Sequence, residues 1–209
     1  MENDELNISM MKLVFATHNE HKLKELRSKL SQLGPDRVHW EIFSLDDIGC
    51  TEEIPEPHET LQENAMAKAR YVWERYSLPC FADDTGLEID ALDGRPGVYS
   101  ARYAGEGCSF ADNVLKVLKE MKGEHRRSAR FRTVIALILE GEGHYFEGQV
   151  EGSILEEGRG DGGFGYDPVF MPEGYALSFA EMPLSEKNRI SHRARAVEQL
   201  IEFLAMVDG

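Results

Sequence analysis

The sequence predicts an α/β protein built on a mixed sheet, and three observations carry that reading. Short apolar runs alternate with segments of helical period through the first half of the chain. The second half holds a long β-branched run, Ala129 to Glu140, followed by a segment suited to pair with it as a hairpin, so a purely parallel sheet is not expected. With 209 residues, 42% of them hydrophobic, the chain can bury the core of one domain, or of two lobes sharing a core, without a metal or disulfide staple.

Residues 1–11 read as an N-terminal extension and 12–209 as a single domain, because Met11-Lys12 restarts the chain just before the apolar run Leu13-Val14-Phe15-Ala16. That run predicts a buried strand. After Thr17-His18-Asn19, leucines at 23, 26, 30 and 33 predict a helix that closes at Gly34-Pro35. Val38 to Leu45 predicts a second strand, and an acidic, proline-containing loop runs on to about Glu59. Ala65, Ala69, Val72, Trp73 and Tyr76 mark an amphipathic helix over Thr60 to Tyr76, ending before Leu78-Pro79. Cys80-Phe81-Ala82 predicts a short strand, Asp83-Asp84-Thr85-Gly86 a turn, and Leu87 to Asp90 a half-exposed strand. Ser109 is positioned to cap a helix reaching about Met121. The hairpin Ala129 to Glu140 with His144 to Leu155 follows, then the glycine-rich stretch GRGDGGFGYDPVF, and a single last helix from Ser185 to about Met206.

Charge narrows the function. Lys and Arg total 23 against 38 Asp and Glu, a net −15, which is the wrong sign for non-specific phosphate contacts with nucleic acid. No uncharged run exceeds seven residues, so no membrane-spanning helix is expected, and MENDELNISM lacks the features of a secretory signal. The expectation is a cytoplasmic protein that binds neither membrane nor nucleic acid. Cys50, Cys80 and Cys108 are too scattered for a zinc or redox pair and read as core thiols. Asp46 to Glu63 carries seven carboxylates and no Lys or Arg, while Lys116 to Arg132 carries seven basic residues against two acidic ones. Such segregation suits either local cation and anion sites or two solvated faces.

Four segments carry chemistry. In Thr17-His18-Asn19-Glu20-His21-Lys22, Asn19 is placed to cap a helix, and Lys22 in its first turn opposes the helix dipole unless an anion such as phosphate sits there. A plain capped turn with an exposed lysine is the alternative. His18 and His21 lack a third ligand and read as polar loop residues. Asp83-Asp84-Thr85-Gly86 crowds two carboxylates at the end of a buried strand; alternation sends one of them into a site, for magnesium binding and water activation, unless the pair only caps a turn. Gly158-Arg159-Gly160-Asp161-Gly162-Gly163 has the spacing of a dinucleotide fingerprint, but Phe164-Gly165-Tyr166-Asp167-Pro168 cannot start the helix it requires. That segment instead fits a planar ligand, with Phe164 stacking on a ring and Asp167 accepting from its N–H groups, or a tight turn with a core aromatic. Ser185 to Arg193 puts Lys187, Arg189 and Arg193 at a helix start. They either face a bound anion or carbonyl or are solvated.

Taken in order, ATHNEHKLKEL, ENAMAKAR, FADDTGLEIDALDGRPGVYSARYAG, GGFGYDPVF and LSEKNRISHRARA closely resemble the inosine/xanthosine triphosphate pyrophosphatase family, from about Lys12 to Leu204. The resemblance implies an elongated, two-lobed α/β fold with a long mixed sheet flanked by helices around a central cleft. It further implies a homodimer and Mg2+-dependent hydrolysis of purine nucleoside triphosphates bearing hypoxanthine or xanthine to the monophosphate and pyrophosphate. By resemblance, Thr17, His18, Asn19, Glu20, His21 and Lys22 hold the phosphates, and Asp84 is proton acceptor and magnesium ligand. Thr85 stands where serine is more usual. Phe164, Gly165, Tyr166 and Asp167, with Lys187, His192 and Arg193, contact base or phosphate. Glu53 and Glu56 both qualify as a metal-linked glutamate of the acidic loop. Arg126, Arg127, Arg130 and Arg132 are left between catalysis, a dimer contact and solvent.

Overall fold

A computed structural model describes residues 11–31 and 40–207. Strand β1 (Met11–Phe15) is followed by helix α1 (Glu20–Ser31), β2 (Trp40–Phe43), α2 (Leu61–Tyr76), β3 (Cys80–Ile89) and the two-residue β4 (Pro96–Gly97). Then come α3 (Phe110–Glu120), β5 (Ser128–Leu139), β6 (Glu142–Ile154), β7 (Phe170–Pro172), α4 (Leu184–Ile190) and α5 (His192–Val207). The expected extension lies outside the described residues except for Met11, which pairs with Trp40. The expected helix close at Gly34-Pro35 and the strand start at Val38 also lie outside them.

The strands form one sheet in the order β2-β1-β3-β5-β6-β7, with β4 on β3. β1 runs parallel to β2 and β3, and the other pairings are antiparallel. This is the mixed sheet the sequence predicts. One face of its first half is covered by α1 and α5, through Leu23, Leu26, Val197 and Leu200 packed on Phe15, Phe81 and Leu137. The opposite face is covered by α2, through Ala65, Ala69 and Val72 packed on Val14, Ala82 and Ala136. A separate core, built on Leu87, Phe131, Val150 and Phe170 with Val117 and Met121, fills the second half. Two lobes thus share the long strands β3 and β5. They meet near mid-strand, where Thr85 and Thr133 stand opposite in register with their hydroxyls 2.7 Å apart.

Local chemistry accounts for the element ends. Thr60 accepts from the Glu63 N–H at the start of α2, and Ser109 forms a full capping box with Asp112 at the start of α3. Two expectations are corrected. Asp83 to Gly86 do not turn: β3 is continuous because each of its residues pairs in register with β5 from Cys80–Ile138 to Ile89–Ala129. Gly86 serves a close approach instead, since a Cβ there would lie 2.8 Å from the Gly97 carbonyl oxygen on β4. The last helix is also two helices. Ser191 is extended (φ −68°, ψ 157°), its N–H closing α4 on Lys187 and its hydroxyl accepting from the Ala194 N–H to open α5. The first turn of α5 lies directly on β6 at Gly148, where a Cβ would come 2.0 Å from the His192 carbonyl oxygen.

Candidate active site

The elements converge on a cavity of about 330 Å3 between the lobes, within the size range of small-ligand sites. Its floor begins at the turn after β1. The Thr17 hydroxyl accepts from the Asn19 N–H (3.1 Å), and Asn19 Oδ1 caps α1 by accepting from the N–H groups of His21 (3.0 Å) and Lys22 (3.2 Å). Thr17, His18, Asn19 and Lys22 line the cavity; Glu20 and His21, grouped with them from sequence, do not. Lys22 has an anion partner already, Asp83 Oδ1 at 2.7 Å, so its place against the helix dipole is explained by a protein carboxylate without phosphate.

Alternation along β3 sends the paired aspartates to opposite faces. Asp83 points toward α1 and α5, where it also accepts from Arg193 Nε at 3.0 Å. Burial opposes its charge, but Lys22 and Arg193 outweigh burial and hold its carboxyl well below the usual carboxylate range. Asp84 points toward α2 and lines the cavity. Its Oδ1 lies 3.6 Å from Lys68 Nζ, while Oδ2 is buried without a hydrogen-bond partner. Burial raises the Asp84 carboxyl above its ordinary value, Lys68 opposing and Glu56 adding to the rise.

The acidic loop brings Glu53 and Glu56 to the same wall. It is tied down by Asn64, whose side chain accepts from the His58 N–H (2.9 Å) and donates to the His58 carbonyl (3.2 Å). His18 adds contacts to Asp46 Oδ1 (3.0 Å) and the Glu52 carbonyl (3.2 Å). Glu56 pairs with Lys68 and lies 3.8 Å from Arg102, whereas Glu53 is exposed and has no ion pair among the described residues.

The other wall is an ion network beneath aromatic rings. Lys187 Nζ donates to Glu25 Oε1 and Asp167 Oδ2, both at 2.6 Å, and Arg193 donates to Glu25, Asp83 and the Thr85 hydroxyl (3.2 Å). Each nitrogen of Arg193 therefore has one protein acceptor, which fixes the guanidinium at the cavity, and these bonds use three of its five N–H donors. Asp167 Oδ2 likewise accepts from the Phe164 N–H (2.7 Å) as well as from Lys187, which fixes the loop rather than presenting that oxygen to a ligand. Phe164, Gly165, Tyr166, Asp167, Lys187 and Thr85 all border the cavity. So do His192 and Arg193. The His192 ring stacks on Phe131 (centroids 4.6 Å, 15° between planes), and its buried Nδ1 has no partner. Burial, reinforced by Arg193 and Lys187, holds His192 well below its ordinary pKa and so neutral at pH 7.

Lys68, Glu25 and Phe131 are site residues that sequence reasoning does not single out. Lys68 lies within ENAMAKAR on the apolar side of α2, a position where a buried lysine needs an anion. Glu25 lies one turn beyond Lys22 and is 7% exposed; the cations at 187 and 193 are the sequence signal that a buried carboxylate must exist somewhere. The basic cluster at 126–132 stays outside the cavity. Arg127 donates to the carbonyls of Ile154 (2.5 Å) and Leu155 (2.7 Å), while Arg130 and Arg132 pair across the sheet with Glu151 (3.1 Å) and Glu147 (2.8 Å). These are ties within the fold.

A family model described as the Ham1 family matches residues 13–203. The chain is 59% identical over 196 residues to a dITP/XTP pyrophosphatase of Porphyromonas gingivalis, covering 93% of this chain and 98% of that protein. It is 47% identical over 200 residues to a dITP/XTP pyrophosphatase of Bacillus subtilis, covering 94% and 98%. Among solved structures, a HAM1 protein from Coxiella burnetii superposes with a TM-score of 0.84 at 37% identity, covering 94% of this chain and all of that one.

Proposed function

The chain belongs to the Ham1 family, and from that membership we propose that it hydrolyses deaminated purine nucleoside triphosphates, ITP, dITP and XTP, to the monophosphate and pyrophosphate. One observation carries the reading beyond the relatives' names. Two buried polar atoms without partners, Asp84 Oδ2 and His192 Nδ1, belong to residues that border one cavity. Buried polar groups are nearly always satisfied, so such orphans mark places where a ligand completes the hydrogen bonding. One stands beside Lys68 and Glu56, suited to a reacting phosphate. The other stands on Phe131, suited to a base.

Magnesium is part of the proposal, and the residues fit it in a restricted sense. No group of three or more His, Cys, Asp or Glu able to hold a metal occurs among the described residues, so a full protein cage is absent. Magnesium typically takes one or two carboxylates and completes its shell with water and substrate phosphates, a role open to Asp84 with Glu53 or Glu56. Charge supports this. Glu25, Glu56, Asp83, Asp84 and Asp167 face Lys22, Lys68, Arg102, Lys187 and Arg193, so five carboxylates meet five cations. A site already neutralised from within has little positive charge to offer a triphosphate. When bound, magnesium supplies that charge and makes a bound water more acidic.

In the proposed reaction the oxygen of water forms a bond to the α-phosphorus while the bond to the bridging oxygen breaks, and pyrophosphate leaves. Asp84 Oδ2 takes the proton of the attacking water; burial raises its pKa, which makes it a better acceptor than an ordinary carboxylate. Lys68 holds Asp84 and Glu56 in place. At the base, a His192 tautomer donating from Nδ1 favours the 6-oxo group of hypoxanthine or xanthine. Adenine's 6-amino group would leave that donor unpaired. The test is Asp84→Asn: turnover should fall by about a hundredfold or more while the folded state persists, and near-wild-type turnover would remove Asp84 from the chemistry.

A further inference from the structure

His21 is grouped by sequence with the phosphate-holding turn, yet it stands outside the cavity and does something else. Its ring lies parallel to Phe164, with centroids 5.1 Å apart and 16° between planes. It also meets Phe110 edge-on at 6.3 Å, and Phe110 lies 6.0 Å from Phe164. Phe110 and Phe164 border the cavity and His21 does not. The imidazole therefore supports the aromatic wall from outside it.

The backbone at Phe164 makes such support necessary. Gly163 and Gly165 flank it, both at positive φ (69° and 62°), where the chain has least side-chain restraint of its own. The backbone of Phe164 is tied to Asp167 alone among the described residues, its N–H donating to Asp167 Oδ2 and its carbonyl accepting from the Asp167 N–H, and neither bond sets the ring's orientation. Where the ring sits depends on what its side chain touches: Lys187 Nζ at 5.0 Å, Arg193 Cζ at 5.5 Å, Phe110, and the parallel His21. The cations are fixed in the buried ion network. His21 joins the glycine-rich loop to α1, whose capping turn at Thr17 and Asn19 lines the cavity.

We propose that His21 is a positioning residue that sets the Phe164 ring against the base of the bound nucleotide, acting on base affinity without touching phosphate. The inference rests on the proposed nucleotide hydrolysis and on the expectation from the sequence that Phe164 stacks on a planar ring, here the base.

The test compares His21→Ala, His21→Phe and Phe164→Ala on the full chain, using ITP turnover in magnesium and inorganic tripolyphosphate, which has no base, as a competitive inhibitor. An aromatic pair is worth roughly 0.5–1.5 kcal/mol, or about two- to twelvefold in affinity. His21→Ala should raise KM for ITP within that range, with the loss falling on KM rather than kcat and with tripolyphosphate inhibition unmoved. His21→Phe should restore KM, and His21→Ala should add little on top of Phe164→Ala. A tripolyphosphate constant that weakens in step with KM would overturn the proposal, placing His21 at the phosphates. Additive losses would overturn it too, since His21 would then act independently of the ring. If Phe164→Ala leaves KM unchanged, the base-stacking reading itself fails; if Phe164→Ala raises KM and His21→Ala does not, only the present inference fails.

Discussion

At the scale of single residues, the site is governed by which charges are satisfied from within. Glu25 bridges Lys187 and Arg193, and removing one member of a buried ion group typically costs about 3–5 kcal/mol because its charge is no longer balanced within the group. Glu25→Gln should therefore lower unfolding stability by that order in denaturant titrations, while Glu→Gln at exposed Glu198, 3.8 Å from Lys29, should change it by less than about 1 kcal/mol. His192 gives a pH signature. Its folded pKa lies well below the unfolded value near 6.5, so below about pH 6.5 the unfolded chain binds the extra proton, and stability falls as pH drops, by up to about 1.4 kcal/mol per pH unit. His192→Gln should flatten the difference in stability between pH 7.5 and 5.5; an unchanged slope would show that His192 does not carry it. Much of this was readable in the sequence, since Asp84, Lys187, His192 and Arg193 do come together at one cavity. The assignment of partners was not. Lys22 and Arg193 suggest bound anions when only their own helices are considered, whereas Asp83 and Glu25, distant in sequence, supply those anions.

At the scale of elements, local signals predicted well where a cap or a period is decisive. Thr60 and Ser109 start α2 and α3 as expected, and the β-branched run over β5 pairs with β6 along its length. The failures share a physical cause, because tertiary pairing overrode a local preference. Asp83-Asp84-Thr85-Gly86 has turn composition, but β5 offers a hydrogen-bonding partner strand to every residue of β3. Ser191 interrupts an otherwise helical pattern, and the interruption lets α5 begin where His192 and Arg193 reach the cavity. Gly148 is the counterpart of that start. Gly148→Ala should force the first turn of α5 off the sheet, with a stability loss of about 1–3 kcal/mol or more and weaker substrate turnover. An alanine variant with wild-type melting temperature and turnover would show that α5 has slack there.

At the scale of the molecule, two lobes with separate cores share β3 and β5, and the cavity lies where those cores end. The strands are paired without a break across the junction, so Asp84 and Thr85 are held by the sheet, while the acidic and glycine-rich loops approach from the lobes on either side. No helix among the described residues is long and apolar enough to cross a membrane. The proposed chemistry needs a cation brought in with the substrate, because the basic groups of the site are already offset by its carboxylates. The most direct measurement is pyrophosphate release by the purified protein from ITP, XTP, dITP, ATP and GTP, each with magnesium and with chelator. Release that requires magnesium and is confined to the hypoxanthine and xanthine nucleotides is the expected result. Equal release from ATP and GTP would contradict the assignment of the base pocket, and release that persists in chelator would contradict the charge argument for magnesium.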